Sequence, residues 1–325
     1  MPLFSIVIAV YNRPDELNEL LESLCVISDK PFEVIVVEDG STISAKEVVE
    51  KHKSKLDILY LEKENTGQGF SRNYASEYAK GEYLVFFDSD CLIPETYFLQ
   101  VVKAMNEGKL EFWGGPDASH SSFSNLQKAI NYTMTSVFTT GGIRGGKNHA
   151  GTFQPRSFNM GIKKSLFDEL GGFCQTNMGE DIELSTRLIN TGVKPTLLEK
   201  AFVYHKRRNT LLSFLKQTYS FGKGRILTGR KNHGGIKIFH WFPSVFSVGI
   251  LITILTLFLF PFIGKLFAGC YIFYFVLLFF GSLISEKSLI VAVLSMVTGF
   301  TQLVGYGFGF LKEWTRSCSV LGNSH

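Results

Sequence analysis

This chain of 325 residues has few cysteines, and its first apolar stretch is short. The five cysteines are scattered and odd in number, and no Cys-x-x-Cys occurs. This spacing fits neither a disulfide framework nor a zinc site, so we expect reduced thiols in a cytosolic and membrane setting. Phe4–Val10 is apolar, but it is short and no basic region precedes it, so no signal peptide is predicted.

Acidic residues are absent from residues 200–237, which hold ten Lys and Arg. The preceding residues 1–199 hold 27 acidic and 19 basic residues, and residues 238–325 hold two acidic and four basic ones. An acidic body, a basic collar and a nearly uncharged tail do not suit a nucleic-acid-binding protein, so no nucleic-acid partner is predicted. They suit a soluble domain set on a membrane.

Charged residues are also absent from three long runs near the end of the chain. The runs have 27, 20 and 24 residues without Lys, Arg, Asp or Glu, and a bilayer span needs about 20 apolar residues. We therefore predict a C-terminal transmembrane region at 238–325 with about three helices. The predicted helices are 238–264, 266–285 and 288–311. Pro261 and Gly264 suit a tight hairpin between the first two.

The basic collar determines the predicted domain organisation and topology. A soluble domain is predicted over residues 1–210, followed by a basic amphipathic interfacial segment at 211–237. By the positive-inside rule, the collar places the N-terminal domain of this multi-pass membrane protein in the cytoplasm. Three spans would then put the C-terminus outside.

Apolar runs alternate with helical patterns in the N-terminal part. The predicted strands are Phe4–Val10, Glu33–Val37, Ile58–Leu61, Tyr83–Phe87 and Leu110–Trp113. After a region with little pattern, Phe158–Ile162 is again predicted to be an ordered segment. The first predicted helix begins near Pro14. The others cover Phe70–Ala79, Glu95–Asn106, Leu126–Val137, Lys164–Leu170 and Glu180–Asn190. Asn12 is predicted to cap the first helix. Strands that alternate with helices in this way imply an α/β domain with a mostly parallel sheet and right-handed crossovers.

The apolar run Tyr83–Phe87 leads directly into Asp88-Ser89-Asp90. In open α/β sheets, ligands bind beyond the carboxyl ends of such buried strands. Two carboxylates one residue apart at that edge can share a divalent cation with a phosphate of a ligand. The alternative interpretation is a solvated, Asp-rich turn.

Six stretches accompany this acidic pair in a definite order along the chain. They read SIVIAVYNRPDEL, VIVVEDGS, NTGQGFSRNYA, FFDSD, FNMGIKKSLFDELGGF and GEDIELSTRLINTG. In this order they resemble the motifs of the family 2 glycosyltransferases, and the resemblance covers about residues 3–230. It implies a Rossmann-like GT-A fold, a nucleotide-sugar donor (a UDP-sugar above all) and inverting transfer to a hydroxyl. The predicted place of the domain, beside membrane spans and a basic collar, indicates a lipid-linked or glycan acceptor.

The resemblance also implies a nucleotide site at the ends of the first strands. Asp39 is similar to the carboxylate that binds the base of the nucleotide, and Glu38 takes the place of a second Asp, so either could make the contact. The other residues implied in nucleotide binding are Ala9, Tyr11, Asn12, Arg72 and Asp88. Arg72 could instead be a surface residue of its helix that pairs with a nearby Glu.

A metal site and a catalytic base follow from the same resemblance. Asp88 and Asp90 match the pair that holds Mg²⁺ or Mn²⁺, and His205 is implied as a further ligand of the metal or the diphosphate. Asp181 matches the base that takes the proton of the acceptor hydroxyl. For Asp181 and its neighbour Glu180, the alternative is that they stabilise the positive end of their helix. For His205, it is an interfacial position among basic residues.

Two further regions could contact the acceptor or the diphosphate. Glu180 and Arg225 are candidates by position. Residues 114–152, which include His120, Arg144 and His149, are expected to shape the acceptor side without a chemical role.

Other functions are weaker predictions. A processive polysaccharide synthase would carry Gln-x-x-Arg-Trp, and QTYSFGKGR contains no such motif. A non-catalytic sensor of nucleotide sugars would not need Asp181. A dinucleotide-dependent oxidoreductase would carry Gly-x-Gly-x-x-Gly after the first strand, where this chain has none.

Overall fold

The computed structural model describes residues 2–108, 110–140, 153–174, 179–231 and 236–322. The chain forms two compact units. The first comprises Met1–His120 and Arg144–Lys206, and the second comprises Ser121–Ile143 and Arg207–His325. Residues 121–143, which fell within the predicted domain 1–210, thus group with the C-terminal part of the chain.

The strands all belong to the first unit. In chain order they are β1 (Phe4–Val10), β2 (Phe32–Asp39), β3 (Ile58–Lys63), β4 (Tyr83–Asp88), β5 (Cys91–Leu92), β6 (Phe112–Gly114), β7 (Asp117–Ala118), β8 (Asn159–Lys163), β9 (Thr196–Leu197) and β10 (Val203–His205). The helices of both units are α1 (Pro14–Cys25), α2 (Lys46–His52), α3 (Gln68–Ser76), α4 (Tyr97–Glu107), α5 (Asn125–Thr135), α6 (Val137–Thr140), α7 (Lys164–Glu169), α8 (Glu180–Asn190), α9 (Leu211–Lys231), α10 (Phe242–Leu259), α11 (Pro261–Glu286) and α12 (Leu289–Gly322).

The main sheet has seven strands in the order β3-β2-β1-β4-β8-β6-β9. The first four are parallel, and β8 runs antiparallel to β4 and β6. Apolar layers cover both faces, since Ile6 and Ile8 pack on one side while Val7 packs on the other. A strand that is buried on both faces has a continuous apolar run, which is why β1, β2 and β4 could be predicted. The expectation of a mostly parallel α/β sheet is confirmed.

The start of α1 differs from the prediction. Pro14 is the first residue of the helix and its four leucines are buried, but Arg13 holds the cap position. Asn12 has a left-handed backbone conformation (φ 55°), and its side-chain oxygen accepts hydrogen bonds from the Thr42 and Ile43 amides at 2.8 and 2.9 Å. The predicted Asn12 cap is therefore wrong, because the side chain is engaged by the loop that follows β2.

A second sheet of three short strands was not predicted. Its order is β5-β10-β7, with His205 of β10 opposite Cys91 of β5. Strands of two or three residues have no measurable period in the sequence, so pattern alone could not identify them. This small sheet brings the chain after β4 next to a segment more than a hundred residues later.

Gly161 in β8 is where the main sheet admits no side chain. A Cβ added there would overlap the indole ring of the buried Trp113. We expect Gly161→Ala to destabilise the first unit by about 1–3 kcal/mol, the usual cost of overpacking. A lower midpoint of thermal unfolding would show this. Gly108→Ala is the matched control, because no atom lies within 4 Å of its added Cβ; equal midpoints for both variants would contradict the prediction.

The second unit contains three helices that are long and apolar enough to cross a membrane: Ile238–Leu259, Pro261–Glu286 and Leu289–Arg316. The first starts with a short 3-10 helix, Ile238–Trp241. The predicted helix 238–264 ends early, at Leu259, because the chain turns at Phe260 before Pro261. Gly264 lies at this turn as predicted, where a Cβ would overlap the backbone of Leu257.

Candidate active site

The carboxyl end of β4 carries the two acidic side chains that the sequence singled out. Asp90 Oδ1 lies 3.1 Å from His205 Nε2, and the same nitrogen lies 4.0 Å from Asp88 Oδ2. The imidazole stacks on the Phe158 ring, with 4.8 Å between the ring centroids. The antiparallel pairing of β5 and β10 positions His205, since its partner Cys91 follows Asp90 directly. The fold thus brings together the three predicted metal ligands.

Two arginines neutralise this acidic pair. Arg13 Nη1 lies 2.7 Å from Asp90 Oδ2, and Arg72 Nη2 lies 2.5 Å from Asp88 Oδ1. Burial raises the pKa of Asp88; the Arg72 charge opposes this rise, whereas the Asp90 charge adds to it. Each carboxylate of the pair therefore has an arginine as its counter-charge.

Arg72 also links the acidic pair to the start of α8. Its Nη1 lies 3.2 Å from Glu180 Oε1, and the Arg72 and Glu180 side chains are 2% and 3% exposed. Gln68 donates a further hydrogen bond to the same Glu180 oxygen. Burial and the neighbouring charge of Asp181 raise the pKa of Glu180 to about 6, although Arg72 opposes the rise. Arg72 is therefore a buried bridge between two carboxylates and not a surface residue of α3.

Asp181, the predicted base, lies in the first turn of α8. Its Oδ1 accepts a hydrogen bond from the Ile182 amide at 2.7 Å and lies 3.5 Å from Arg156 Nη1. The Asp181 charge is close enough to raise the pKa of both Glu180 and Asp88. Of the two neighbouring acids in α8, Glu180 is buried and bonded to Arg72, whereas Asp181 is partly exposed.

The carboxylates at the end of β2 are engaged within the protein. Glu38 accepts hydrogen bonds from the Ala45 amide at 2.6 Å and the Tyr60 hydroxyl at 2.8 Å. Asp39 accepts from the Thr66 and Gly67 amides at 2.9 and 3.0 Å. Burial alone would raise the pKa of Asp39, but the hydrogen bonds to its carboxylate lower it below the ordinary value. Both acids therefore shape the loops around the first strands.

The other residues predicted to contact the nucleotide, the acceptor or the diphosphate do not all lie in one place. Ala9 lies in the sheet opposite Asp88 on one side and Val37 on the other, and Tyr11 is exposed just beyond β1. The His120 ring contacts Tyr204, the neighbour of His205, with 4.8 Å between centroids. Arg225 belongs to α9 of the second unit, and its predicted role stays a prediction. Arg144 and His149 lie outside the described residues.

Cys91 completes a cluster with Asp90 and His205 in which the possible ligand atoms lie within 4.8 Å of one another. The thiol is a poor ligand here, because burial raises its pKa well above the usual range and its sulfur lies 3.6 Å from the Phe158 carbonyl oxygen. Two carboxylates and an imidazole suit Mn²⁺ or Mg²⁺ better than a soft metal. Asp88, Asp90 and His205 therefore fit the implied divalent cation.

Three residues at the site were missed by sequence reasoning. Arg13 lies in the stretch SIVIAVYNRPDEL, but the resemblance implies no role for it. Arg156 and Asp117 do not belong to any sequence pattern that indicates a functional site. In the structure, Asp117 Oδ2 lies 3.9 Å from His205 Nδ1. Their positions depend on the pairing of distant segments, which no short pattern encodes.

Replacing Arg72 with Met is expected to destabilise the first unit by about 3–5 kcal/mol, because it leaves Asp88 and Glu180 buried without their shared counter-charge. The thermal unfolding midpoint in detergent measures this. Lys103→Met is the control, since it removes an exposed pair with Glu107 of the kind that contributes about 0–1 kcal/mol. A midpoint for Arg72→Met as high as that of the control would contradict the bridging role.

The mostly parallel α/β sheet of the first unit has a fold of the GT-A class. Residues 5–180, more than half of the chain, match the family described as Glycosyl transferase family 2. The chain belongs to this family.

Several proteins with similar sequences are named as glycosyltransferases. The chain is 24% identical to glycosyltransferase AglE of Haloferax volcanii over 242 residues, which cover 70% of this chain and 74% of AglE. It is 41% identical over 95 residues to TarS of Staphylococcus aureus, named a poly(ribitol-phosphate) beta-N-acetylglucosaminyltransferase; these cover 28% of this chain and 16% of TarS. An uncharacterized glycosyltransferase of Rickettsia felis is 31% identical over 141 residues, or 43% of this chain. The chain spans only 18–22% of the length of the Rickettsia relatives it matches.

Two solved structures have the same fold. The mannosyltransferase PcManGT from Pyrobaculum calidifontis, solved with GDP-Man and Mn²⁺, has a TM-score of 0.60 at 17% identity and covers 96% of this chain and 87% of its own. TarS 1–349 of S. aureus with UDP-GlcNAc has a TM-score of 0.51 at 21% identity and covers 71% of this chain and 66% of its own. These likenesses establish a GT-A-like fold for the N-terminal part.

Proposed function

We propose that this protein transfers a sugar from a nucleotide sugar, with a UDP-sugar as first candidate, to a hydroxyl of a lipid-linked or glycan acceptor, with inversion at the anomeric carbon. The observation that carries the proposal is the cluster of Asp88, Asp90 and His205, linked through Arg72 to the helix that carries Asp181. A protein that only binds nucleotide sugars would need such a cluster but no base.

The acidic cluster would bind the diphosphate end of the donor. Asp88, Asp90 and His205 would hold a divalent cation, Mn²⁺ or Mg²⁺, which when bound neutralises charge on the departing diphosphate. Arg13 and Arg72 contribute positive charge at the same place. The donor complexes of PcManGT and TarS contain GDP-Man and UDP-GlcNAc, so both nucleotides are candidates for this chain.

The nucleotide itself would lie at the ends of β1 and β2. Ala9, Tyr11 and Asn12 would line this pocket, and Asn12 supports it by fixing the loop after β2. Glu38 and Asp39 hold the loops at Ala45 and Thr66. Because Asp39 already accepts two backbone hydrogen bonds, it would meet the base through the remaining lone pairs of its oxygens.

Asp181 would take the proton of the acceptor hydroxyl as its oxygen attacks the anomeric carbon. The Ile182 amide and Arg156 orient the carboxylate. A single base suffices when the leaving group departs on the opposite side of the sugar, so no covalent intermediate with the protein is required.

The acceptor is inferred from the surroundings of the domain. Three apolar helices follow it, and a basic collar at the cytoplasmic membrane face would attract anionic headgroups. The poly(ribitol-phosphate) activity in the name of TarS supports a surface polysaccharide or another glycoconjugate as the product.

The test is nucleotide release by the detergent-purified protein. The panel contains UDP-, GDP- and dTDP-sugars with Mn²⁺, with a total lipid extract as acceptor. We expect release from one donor that depends on the extract, with a product extended by a single sugar. Binding of a donor without release would indicate a sensor, and long chains would indicate a processive synthase. A failure to bind any donor would overturn the proposal.

A further inference from the structure

Helix α12 packs in parallel along the basic helix α9 within the second unit. The contacts advance together: Gly305 meets Thr218, Gly309 meets the Tyr219 backbone, and Lys223 lies 3.9 Å from Glu313. A Cβ on either glycine would overlap its neighbour. The two backbones thus approach each other closely at these glycines, and this part of α12 must stay beside α9 wherever α9 lies relative to a membrane.

Helix α9 is too highly charged to lie in hydrocarbon. Its 21 residues include Lys216, Lys223, Arg225, Arg230 and Lys231 and no acidic residue. Each cation placed at the centre of a bilayer would lose its hydration, which is energetically costly. Such a helix lies at the headgroups, and the part of α12 that packs on it lies there too.

The portion of α12 before this contact is too short to cross a bilayer. From Leu289 to the residue before Gly305 it has a length of about 24 Å at 1.5 Å per residue, whereas the hydrocarbon core is about 30 Å thick. This portion also contacts the polar helix α5, since the Thr298 hydroxyl donates to the Ala129 carbonyl at 3.3 Å. On α5, Asn131 accepts hydrogen bonds from the Arg207 guanidinium at 2.9 and 3.1 Å.

The direction of α12 gives an independent argument. The Ser247 hydroxyl lies 3.5 Å from the Leu303 carbonyl, and the Ser244 hydroxyl lies 3.3 Å from the Gly307 carbonyl. Trp241 then contacts the Trp314 ring, with 4.9 Å between centroids. As α12 proceeds, its contacts move back toward the start of α10. In a three-span arrangement the first and third helices run in the same direction, so the contacts would move forward.

Helices α10 and α11 have the features of a membrane hairpin. They pair antiparallel, since Gly249 meets Tyr271 and Gly264 meets Leu257. Large apolar side chains are exposed around both helices. On α12, in contrast, the large exposed apolar residues between Ile290 and Phe308 form one stripe: Ile290, Val293, Val297, Phe300 and Phe308.

We propose that α12 does not cross the membrane. Among the described helices, α10 and α11 alone enter the hydrocarbon. Helix α12 lies at the surface of an anionic bilayer, with its apolar stripe toward the acyl chains and the cations of α9 at the headgroups, as in an interfacial amphipathic helix. The C-terminal part of α12 then lies on the same membrane side as α9, in place of the outside location that three spans would give. This inference does not depend on sugar transfer.

Accessibility of single introduced cysteines tests the topology. Lys216→Cys in α9 and Thr315→Cys in α12 are exposed positions. Each variant is treated with a membrane-impermeant maleimide in intact cells and in inside-out vesicles, and the modified site is identified by peptide mass spectrometry, so the native cysteines can stay. We expect both sites to be modified in the same preparation. Modification of the two sites from opposite sides would overturn the proposal.

Depth measurement in lipid provides a second test that does not depend on Thr315→Cys. Phe300→Trp and Leu251→Trp place an indole at exposed apolar positions within α12 and α10. Lipids brominated near the headgroups or near the bilayer centre quench the added fluorescence according to depth. We expect Phe300→Trp to be quenched most by the shallow bromines and Leu251→Trp by the deep ones. Deepest quenching for both variants would mean that α12 crosses the membrane, against the proposal.

Discussion

Replacing Asp181 with Asn is expected to lower sugar transfer by about 10²–10⁴-fold, the usual contribution of a positioned general base, with donor affinity nearly unchanged. The change keeps the size of the side chain and its hydrogen bond with the Ile182 amide, but removes the ability to accept a proton. Initial rates of nucleotide release and equilibrium binding of the donor separate the two effects.

The control for this variant is Asp168→Asn, which neutralises an exposed acid of α7 paired with Lys164. It should retain the wild-type rate. Asp181→Asn with a rate within a few-fold of wild type would remove Asp181 from the role of base. Glu180 is a weaker alternative base, because its carboxylate is buried against Arg72 and Gln68. Glu180→Gln should therefore alter the thermal midpoint as well as the rate.

Replacing Asp90 with Asn is expected to weaken the metal-dependent part of donor binding by at least about 100-fold. Its carboxylate lies within 3.1 Å of His205 and 2.7 Å of Arg13, so it connects the possible metal ligands to a positive charge. Loss of supporting interactions alone commonly lowers metal affinity 10- to 100-fold, and loss of a ligand should do more. Titration of the nucleotide with and without Mn²⁺ measures the difference.

Ser89→Ala is the matched control for Asp90→Asn, since it alters the residue between the two acids and leaves both carboxylates in place. It should show the metal dependence of the wild type. If Asp90→Asn retains that dependence as well, the cation is held elsewhere and the assignment of Asp90 is wrong. Asp88→Asn would be harder to interpret, because it also disrupts the ion pair with Arg72.

Much of the first unit could be predicted because its signals are local. β1 was predicted with its observed bounds, and α8 with its observed ends at Glu180 and Asn190. Gly192, with φ 92°, follows α8 in the left-handed conformation that ends helices. The prediction failed for segments without periodicity, such as β10. It also failed where a side chain has a partner that is distant in sequence, such as Asn12.

The sequence by itself determined the class of the fold, the acidic pair at the end of β4 and the apolar character of the last three helices. Each of these properties is encoded in a run of neighbouring residues, because the pattern of apolar and polar side chains in a short stretch indicates which of them will be buried. The motifs also determined the family, because their order along the chain is a property of the sequence alone.

Only the tertiary structure decided which residues meet. His205 lies beside Asp90 through the pairing of β5 with β10, Arg156 lies beside Asp181, and Arg72 joins Asp88 to Glu180. The contacts of α12 with the start of α10 likewise reverse the direction that three apolar runs had suggested. Strand register and helix packing arise from the whole set of contacts between distant segments, and no short stretch of sequence contains that information.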